Sequence, residues 1–240
     1  MQQIYKDILQ AKAKQRKLLA ILLDPDKLEV DSIKTLVSKI NTSPATHIFV
    51  GGSIVASHQT EIIVKEVKRH TTLPLILFPG DSNQITNAAD GILFLSLLSG
   101  RNPEFLIDQH IKAVPLLQKS NLEVIPTGYI LINGGVETAV QNVSKTTPIQ
   151  RDNTELALHT ALAGQYSGKQ LIYLEAGSGA KLAITTEMIS EVSKSLDIPL
   201  IVGGGIRTNS QIQDVYKAGA DIVVIGTAFE ENNSFLENIH

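Results

Sequence analysis

The stretch IVGGGIRT, residues 201–208, joins an apolar run to three consecutive glycines and then to a charged residue. Glycine loses more conformational entropy on folding than any other residue, so such a run indicates that the backbone must turn through positive φ or approach another group closely. Two interpretations are open: a tight turn from a strand into a helix, or a cradle of backbone N–H groups for a phosphate. The fold around the stretch decides between them.

Apolar runs like the one that ends at these glycines recur along the chain. They are LLAILL (18–23), HIFV (47–50), LPLILF (73–78), GILFLSL (91–97), LEVIPTGYILI (122–132), LIYLE (171–175), PLIVG (199–203) and DIVVIG (221–226). Continuous apolar runs of this length are typical of strands buried on both faces of a parallel sheet. Helix signals follow most of them, such as Asn102 as an N-cap with Pro103 at the first helical position. The pattern predicts a single (β/α)8 TIM-like barrel, forming one domain over residues 1–240.

One segment after the fifth strand breaks the regular pattern. Residues 133–168 are too long for one simple crossover between neighbouring strands. They predict a helical pair broken around Pro148, with the longer helix running from Asn153 to Gln165. The expected barrel is therefore irregular after strand five.

A barrel of this kind places its active site at the C-terminal ends of the strands, with phosphates bound after strands seven and eight. The stretch GGGIRT follows the seventh run and GTA (226–228) follows the eighth, which favours the phosphate interpretation. Three polar residues also stand at strand ends. Asp24 either points into the barrel mouth or caps the next turn, and Ser53 follows two glycines. Glu175 closes an apolar strand, where a carboxylate is costly to bury, so we expect it to be functional.

Composition narrows the range of functions. The 240 residues include 21 Lys and Arg against 24 Asp and Glu, a formal net charge of −3, which argues against a nucleic-acid partner. The absence of cysteine excludes disulfides, thiolate metal sites and a cysteine nucleophile, and it fits a cytoplasmic protein. The apolar runs are shorter than a bilayer span, and the start of the chain does not resemble a signal peptide. The histidines have no metal-binding spacing, so Mg²⁺ would rest on a carboxylate, for which Asp24 is the candidate, and on substrate phosphates.

The fourth run with the segment that follows it, and the fifth run, bring apolar side chains, including Phe105 and Tyr129, to one side of the predicted barrel. These residues are either ordinary core or the lining of an apolar groove left open where the regular pattern breaks. A phosphate site beside a long apolar groove would suit a phosphorylated lipid precursor.

Eight motifs, taken together and in this order, resemble the geranylgeranylglyceryl phosphate synthase family, which includes the bacterial heptaprenylglyceryl phosphate synthases. They are LLDPDK, GGS, ILFPGDSNQIT, LFLSLLSGRNPEFLI, PTGYILINGG, YLEAGSG, GGGIR and VIGTA. The resemblance covers nearly the whole chain. It implies a Mg²⁺-dependent prenyltransferase of ether-lipid biosynthesis, which joins a polyprenyl diphosphate to the 3-hydroxyl of sn-glycerol 1-phosphate and releases diphosphate. It favours geranylgeranyl diphosphate as the donor.

The resemblance also implies roles for individual residues. Asp24 and Ser53 match the metal and diphosphate site, and Glu175 matches the group that positions or deprotonates the attacking hydroxyl. The residues that match the glycerol 1-phosphate site are Tyr173, Leu174, Glu175, Ala176, Gly177, Ser178, Gly179, Gly204, Gly205, Gly226 and Thr227. Leu22 stands where some family members carry a lysine. We also expect a homo-oligomer, a dimer or larger, that contacts a membrane transiently to release its lipid product.

Two other functions remain open at this stage. One is a phosphate-binding barrel isomerase or lyase acting on a phosphosugar or an indole precursor, which requires a second catalytic acid or a lysine at the barrel mouth. The motifs show neither. The other is a non-catalytic barrel that binds a prenyl or phosphate ligand and never releases diphosphate.

Overall fold

The computed structural model describes residues 3–56, 58–231 and 235. Eight parallel strands form a closed barrel in chain order, as the apolar runs predict. The strands are β1 Leu18–Leu23, β2 His47–Val50, β3 Leu75–Leu77, β4 Gly91–Leu97, β5 Glu123–Leu131, β6 Leu171–Glu175, β7 Leu200–Gly203 and β8 Ile222–Ile225. The α-helices are α1 Ile4–Ala13, α2 Val30–Asn41, α3 Gln59–Lys68, α4 Gln109–Leu117, α5 Ala139–Ser144, α6 Thr154–Tyr166, α7 Thr186–Ser195, α8 Asn209–Lys217 and α9 Thr227–Glu231. In this part of the chain no helix is both long and apolar enough to cross a membrane.

Alternation along each strand divides the core into two layers. Leu18 and Ala20 of β1 belong to the cluster that fills the barrel. Leu19 and Ile21, which point the other way, belong to the cluster between the strands and the surrounding helices. Successive side chains of a strand point to opposite faces, so both faces of these strands must be apolar. This requirement is the reason that the strands read as unbroken apolar runs in the sequence.

Helix α1 covers the N-terminal end of the barrel. Its residues Ile4 and Ile8 join the cluster that fills the barrel. The carboxylate of Glu123, at the start of β5, accepts hydrogen bonds from the backbone N–H groups of Ile4 at 2.7 Å and Tyr5 at 2.8 Å. These donors lie in the first turn of the helix and have no partner within it, and the negative charge suits the helix N-terminus. Helix α1 therefore closes this end of the barrel to a substrate.

The barrel wall is incomplete between β3 and β4. Strand β3 pairs with β4 only at Ile76 and Leu77, whereas β4 continues to Leu97 alongside β5. The chain leaves the barrel after β3 and forms a short 3₁₀ turn at Ser82–Gln84. The upper half of β4 therefore has a strand neighbour on one side only.

The expected irregularity after strand five and the expected helix start at Asn102 and Pro103 are both present, with one difference in detail. Helices α5 and α6 lie on either side of Pro148, and the Asn153 side chain caps α6, which confirms the broken helical pair. Pro103 is helical and the Asn102 side chain accepts a hydrogen bond from Glu104 N at 3.1 Å, as the cap signal predicts. The helix then runs as a π-helix over Glu104–Asp108 before α4 begins. Such wide turns are frequent at functional sites.

A buried histidine in β2 makes the stability of the fold depend on pH. His47 is 6% exposed, and its Nδ1 lies 2.8 Å from Oγ1 of Thr46. The pKa of His47 is lowered from 6.5 to about 4, chiefly by burial and also by the positive charge of Arg16, against a smaller opposing effect of Asp7. Between these two values the unfolded chain binds a proton that the folded chain excludes, so stability falls as the pH falls.

We expect this histidine to cost the protein about 2.5 kcal/mol of unfolding free energy between pH 7 and pH 4.5, from the difference between the two pKa values. Urea unfolding of the wild type and of His47→Asn at both pH values measures the effect. The variant should lose that much less stability on acidification than the wild type, because asparagine does not titrate. Equal losses in the two proteins would show that His47 is not the buried neutral group described above.

Candidate active site

A polar cavity of about 310 Å³ occupies the barrel mouth, at the C-terminal ends of β1, β2, β6, β7 and β8. Its charged lining residues are Asp24, Lys27, Glu175, Arg207 and Glu230. A second, largely apolar cavity of about 110 Å³ adjoins it on the side of β4. Charged groups and apolar surface thus lie side by side at the end of the barrel where the fold places active sites.

Glu175 is the most buried carboxylate of the polar cavity. It ends β6, is 6% exposed, and accepts a hydrogen bond from Gly177 N at 2.7 Å. Burial raises its pKa, against the opposing effects of the Tyr173 hydroxyl and the Gly177 N–H. A carboxylate with a raised pKa accepts a proton more readily, which suits a general base.

The hydroxyl of Tyr173 lies close to this carboxylate. A Cβ atom on Gly203 would lie 2.6 Å from Oη of Tyr173 and 2.7 Å from Oε2 of Glu175, so glycine keeps the space around both groups open. The Tyr173 hydroxyl is buried and has no partner within hydrogen-bond geometry in the described residues. Burial and the neighbouring Glu175 charge raise the pKa of Tyr173 well above 10, so it stays a neutral donor. An unpaired buried hydroxyl at a cavity is available to a ligand.

Packing requires glycine in the stretch at residues 201–208. Gly204 and Gly205 have φ values of +81° and +70°, in the left-handed region. A Cβ atom on Gly204 would overlap Oε1 of Glu175, and one on Gly205 would lie 2.7 Å from the carbonyl carbon of Leu182. The chain therefore makes a tight turn here, which brings the backbone after β7 against the Glu175 carboxylate. The binding of a phosphate at this turn stays a prediction.

Thr227 connects the loop after β6 to the loop after β8. Its Oγ1 accepts a hydrogen bond from Gly179 N at 3.3 Å and lies 3.4 Å from Oγ of Ser178. Gly226, the residue before it, lies beside Leu22, where a Cβ atom would make ordinary contact at 3.6 Å. The loops after β6 and β8, which both contain residues that the family resemblance matches to the glycerol 1-phosphate site, are thus joined at one side of the cavity.

Asp24 satisfies both interpretations offered from the sequence. Its Oδ1 accepts a hydrogen bond from Asp26 N at 3.2 Å, which caps the turn at Pro25–Lys27, and its carboxylate also lines the polar cavity. A Cβ atom on Gly52 would lie 3.2 Å from Oδ1 of Asp24, so the glycine before Ser53 allows this approach. Ser53 lines both cavities.

Three residues of this region were missed from the sequence. Lys27 places its Nζ 2.8 Å from Oε2 of Glu230 and 3.4 Å from Oδ2 of Asp24. Burial lowers the pKa of Lys27, but the hydrogen bonds and charges of Glu230 and Asp24 outweigh it and raise the pKa overall. Gln84 holds the backbone of Gly52 from both sides, donating to its carbonyl at 2.8 Å and accepting from its N–H at 3.3 Å. In the sequence, Glu230 follows GTA and Lys27 follows Asp24 within a few residues, and this closeness could have indicated them as site residues. No sequence signal indicated Gln84.

Most of the predicted site residues line the two cavities. Those at the polar cavity are Asp24, Ser53, Tyr129, Tyr173, Glu175, Gly177, Ser178, Gly179, Gly204, Gly205, Gly226 and Thr227, and Phe105 and Tyr129 line the apolar one. Leu174 and Ala176 line neither. Their side chains belong to the layer between strands and helices because alternation along β6 turns them away from the mouth. Only the backbone of these two residues is left to contact a ligand at the mouth.

Aromatic rings form the wall between the two cavities. The ring centroids of Phe78, Tyr129 and Tyr173 lie 5.4 to 5.9 Å apart. Phe78 and Tyr129 line both cavities, and Phe105 lies beyond them in the apolar one. The apolar cavity follows the upper half of β4, where β3 no longer covers it.

The sequence profile of the PcrB family matches residues 10–240. This chain belongs to the PcrB family. It is 57% identical to a geranylgeranylglyceryl phosphate synthase of Flavobacterium johnsoniae, over 98% of this chain and 97% of that protein. It is 42% identical to the protein of that name from Pyrococcus furiosus, over 94% of this chain and 90% of the relative. The resemblance drawn from the motifs is confirmed.

Solved structures agree with this family assignment. The crystal structure of (S)-3-O-geranylgeranylglyceryl phosphate synthase from Thermoplasma acidophilum, in complex with its substrate sn-glycerol-1-phosphate, matches with a TM-score of 0.93 and 34% identity. The match covers 100% of this chain and 96% of that one. Tryptophan synthase α-subunits of Pyrococcus furiosus share the fold alone, for example with a TM-score of 0.58 at 13% identity.

The donor set of this PcrB family protein limits how it could hold a metal. No group of three or more His, Asp or Glu side chains in residues 3–56 and 58–231 could bind an ion together. Asp24 and Ser53 offer a carboxylate and a hydroxyl, the hard oxygen donors that Mg²⁺ prefers, and Mg²⁺ often takes its remaining ligands from phosphates and water. These two residues fit a cation that is completed by substrate.

Two glycines of the site allow a matched test of the packing argument. A Cβ atom on Gly179, which has a φ of +73°, would have no neighbour within 4 Å, whereas one on Gly204, with a similar φ, would meet Glu175. We expect Gly179→Ala to cost about 1 kcal/mol of unfolding free energy, from the left-handed backbone alone. Gly204→Ala should cost roughly 2 kcal/mol more, since the added atom displaces the Glu175 carboxylate. Urea unfolding of both variants measures this, and equal costs would contradict it.

Proposed function

We propose that this chain transfers the prenyl group of a polyprenyl diphosphate, most favourably geranylgeranyl diphosphate, to the 3-hydroxyl of sn-glycerol 1-phosphate. The observation that carries the proposal is the buried carboxylate of Glu175 in a polar cavity that opens, past Phe78 and Tyr129, into an apolar one. The names of the relatives and the substrate held by the Thermoplasma acidophilum enzyme support it. The product is a precursor of ether lipids, and diphosphate is released.

The glycerol 1-phosphate lies between the loops after β6, β7 and β8. Its phosphate faces the backbone of Gly204, Gly205 and Gly226 and the hydroxyl of Thr227, at the place where barrels of this fold bind phosphate. Its 3-hydroxyl then faces Glu175 and Tyr173, deeper in the mouth. Holding the two substrates in this order turns a bimolecular encounter into a positioned reaction.

In the reaction, the glycerol oxygen forms a bond to C1 of the prenyl group as the bond from C1 to the diphosphate breaks. Glu175 accepts the proton of the 3-hydroxyl, and its burial raises its pKa in the direction that favours this transfer. Tyr173 remains protonated and donates a hydrogen bond at the same place. The prenyl chain extends along β4 past Tyr129 and Phe105.

Mg²⁺ is the cofactor that this chemistry calls for, because a divalent cation neutralises the negative charge that develops on a leaving diphosphate. Asp24 and Ser53 would hold it, after the ends of β1 and β2, with Asp24 on the side next to the loop after β8. The cytoplasmic location, the homo-oligomer and the transient membrane contact stay predictions.

The phosphosugar isomerase or lyase is less well supported. The structure does bring an acid and a lysine to the mouth, Glu230 and Lys27, which the motifs alone did not show. These two groups are paired with each other, and an enzyme for a small phosphosugar has no use for the adjoining apolar cavity.

The direct test is to incubate the protein with Mg²⁺, sn-glycerol 1-phosphate and prenyl diphosphates of 10 to 35 carbons, and to identify products by mass spectrometry. We expect a prenyl ether of glycerol 1-phosphate, and none with sn-glycerol 3-phosphate or with excess chelator. The absence of product with every donor would reject the synthase and leave the non-catalytic barrel.

Replacing Glu175 by glutamine removes the proton acceptor while keeping its shape. We expect kcat to fall by roughly 10²- to 10⁴-fold, the usual contribution of a general base. Binding of sn-glycerol 1-phosphate, followed by calorimetry, should change little because the phosphate contacts remain. Glu155→Gln, on the exposed surface of α6, is the matched control and should retain wild-type kcat. If the Glu175→Gln variant is fully active, Glu175 is not the general base.

The apolar cavity predicts a preferred donor length. Each buried CH₂ group contributes about 0.8 kcal/mol, so kcat/KM should rise from the 10-carbon to the 20-carbon donor and level off where the cavity ends. Phe105→Ala should shift the preferred length and leave the KM for glycerol 1-phosphate unchanged. If donors of 10 and 20 carbons react equally well, Phe105 and Tyr129 are ordinary core.

A further inference from the structure

The polar cavity contains a charge arrangement that the proposed reaction does not yet explain. The ammonium group of Lys27 lies between two carboxylates, 2.8 Å from Oε2 of Glu230 and 3.4 Å from Oδ2 of Asp24. The Lys27 side chain is 48% exposed, so it lies at the edge of the cavity, whereas Asp24 and Glu230 are 24% and 19% exposed. Lys27 thus covers one oxygen of the carboxylate that would hold Mg²⁺.

We propose that Lys27 binds the diphosphate of the prenyl donor. When a divalent cation binds Asp24, the ammonium group of Lys27 leaves Asp24 and contacts the diphosphate instead. Glu230 keeps hold of the lysine during the exchange. The inference rests on the proposed function. It adds a residue that binds the leaving diphosphate, and it states that the cation binds Asp24 before Lys27 contacts the diphosphate.

The geometry favours release from Asp24 over release from Glu230. The contact to Asp24 is longer by 0.6 Å, the difference between 3.4 and 2.8 Å, and lies beyond the usual range of a charged hydrogen bond. A cation at Asp24 competes with the ammonium group for the same oxygen. Lys27 then remains tied to Glu230, which lies one turn beyond Thr227 and lines the same cavity.

The loop that carries Lys27 is held in place, so the movement is confined to the side chain. The carboxylate of Asp26 accepts hydrogen bonds from Ala56 N at 3.0 and 3.2 Å. Gln59 Nε2 donates to the carbonyl of Pro25 at 3.3 Å. The lysine stem is flexible and its ammonium group is a point charge with three rotatable donors, which suits a change of partner.

The charge balance of the mouth favours a cationic side chain, Lys27, beside the diphosphate. Asp24, Glu175 and Glu230 face two cationic side chains, Lys27 and Arg207, and the substrates add a phosphate and a diphosphate. Like charges repel one another more strongly in a partly buried site than in water. The diphosphate therefore needs Lys27 in addition to the cation at Asp24.

The test measures two affinities that should change in opposite directions in Lys27→Met. Binding of Mn²⁺ alone, followed by electron paramagnetic resonance, should tighten by roughly two- to fivefold, the strength of a partly exposed ion pair, because the competing ammonium group is gone. Binding of inorganic diphosphate in saturating Mn²⁺, followed by calorimetry, should weaken by roughly tenfold or more. Lys27→Arg, which keeps the charge, should retain most of the diphosphate affinity.

Lys181→Met is the matched control. Lys181 lies on the loop after β6, at the same end of the barrel, but it is exposed and does not line the cavity. It should leave both affinities within twofold of the wild type. If Lys27→Met changes neither affinity, or weakens both together, the exchange is wrong. Because both probes act without prenyl donor, a wild type that forms no ether product would overturn the proposed function and still leave this measurement decisive for Lys27.

Discussion

Closure of eight parallel strands into a ring is the constraint on which the rest of this structure depends. Parallel strands all end at the same side, so residues from distant parts of the chain, Asp24, Glu175 and Thr227 among them, meet at one mouth. Closure also buries both faces of every strand, which leaves no place for a charge until a strand ends. The polar groups of the site stand at these ends for that reason, and α1 closes the other end of the barrel.

The short pairing between β3 and β4 produces the apolar half of the site. Because β3 stops pairing with β4 after Leu77, apolar residues on the upper half of β4 are covered by a loop and a π-helical segment instead of a strand. The result is an apolar cavity that adjoins the polar one and shares Phe78 and Tyr129 with it. A site that must hold a phosphate, a diphosphate and a hydrocarbon chain needs this combination of surfaces.

Two carboxylates of the mouth differ because their surroundings differ. Glu175 is buried beside a tyrosine and a backbone N–H, and burial raises its pKa, as a proton acceptor requires. Asp24 is more exposed, caps a turn and contacts the ammonium group of Lys27, so it suits a cation instead. In the proposed reaction, these different surroundings make Glu175 the base and Asp24 the metal ligand.

Much of the fold could be predicted from the sequence, because strands that are buried on both faces consist of continuous apolar runs. The runs at 18–23, 47–50, 91–97 and 171–175 coincide with observed strands, since only buried strands need both faces apolar. The break around Pro148 and the cap at Asn102 are likewise local and were predicted. The strand ends then indicated Asp24, Ser53 and Glu175, and the family resemblance supplied their roles.

Tertiary structure alone decided the features that depend on which groups meet across the mouth. Leu174 and Ala176 belong to a matching motif, yet alternation along β6 turns their side chains away from the cavity. Glu230 and Lys27 are separated by about 200 residues, and only barrel closure, which sets β8 beside β1, brings them together. The raised pKa of Glu175 and the open space beside β4 also follow from packing between distant segments. Local sequence specifies where strands lie and end, whereas a contact between the ends requires the closed ring.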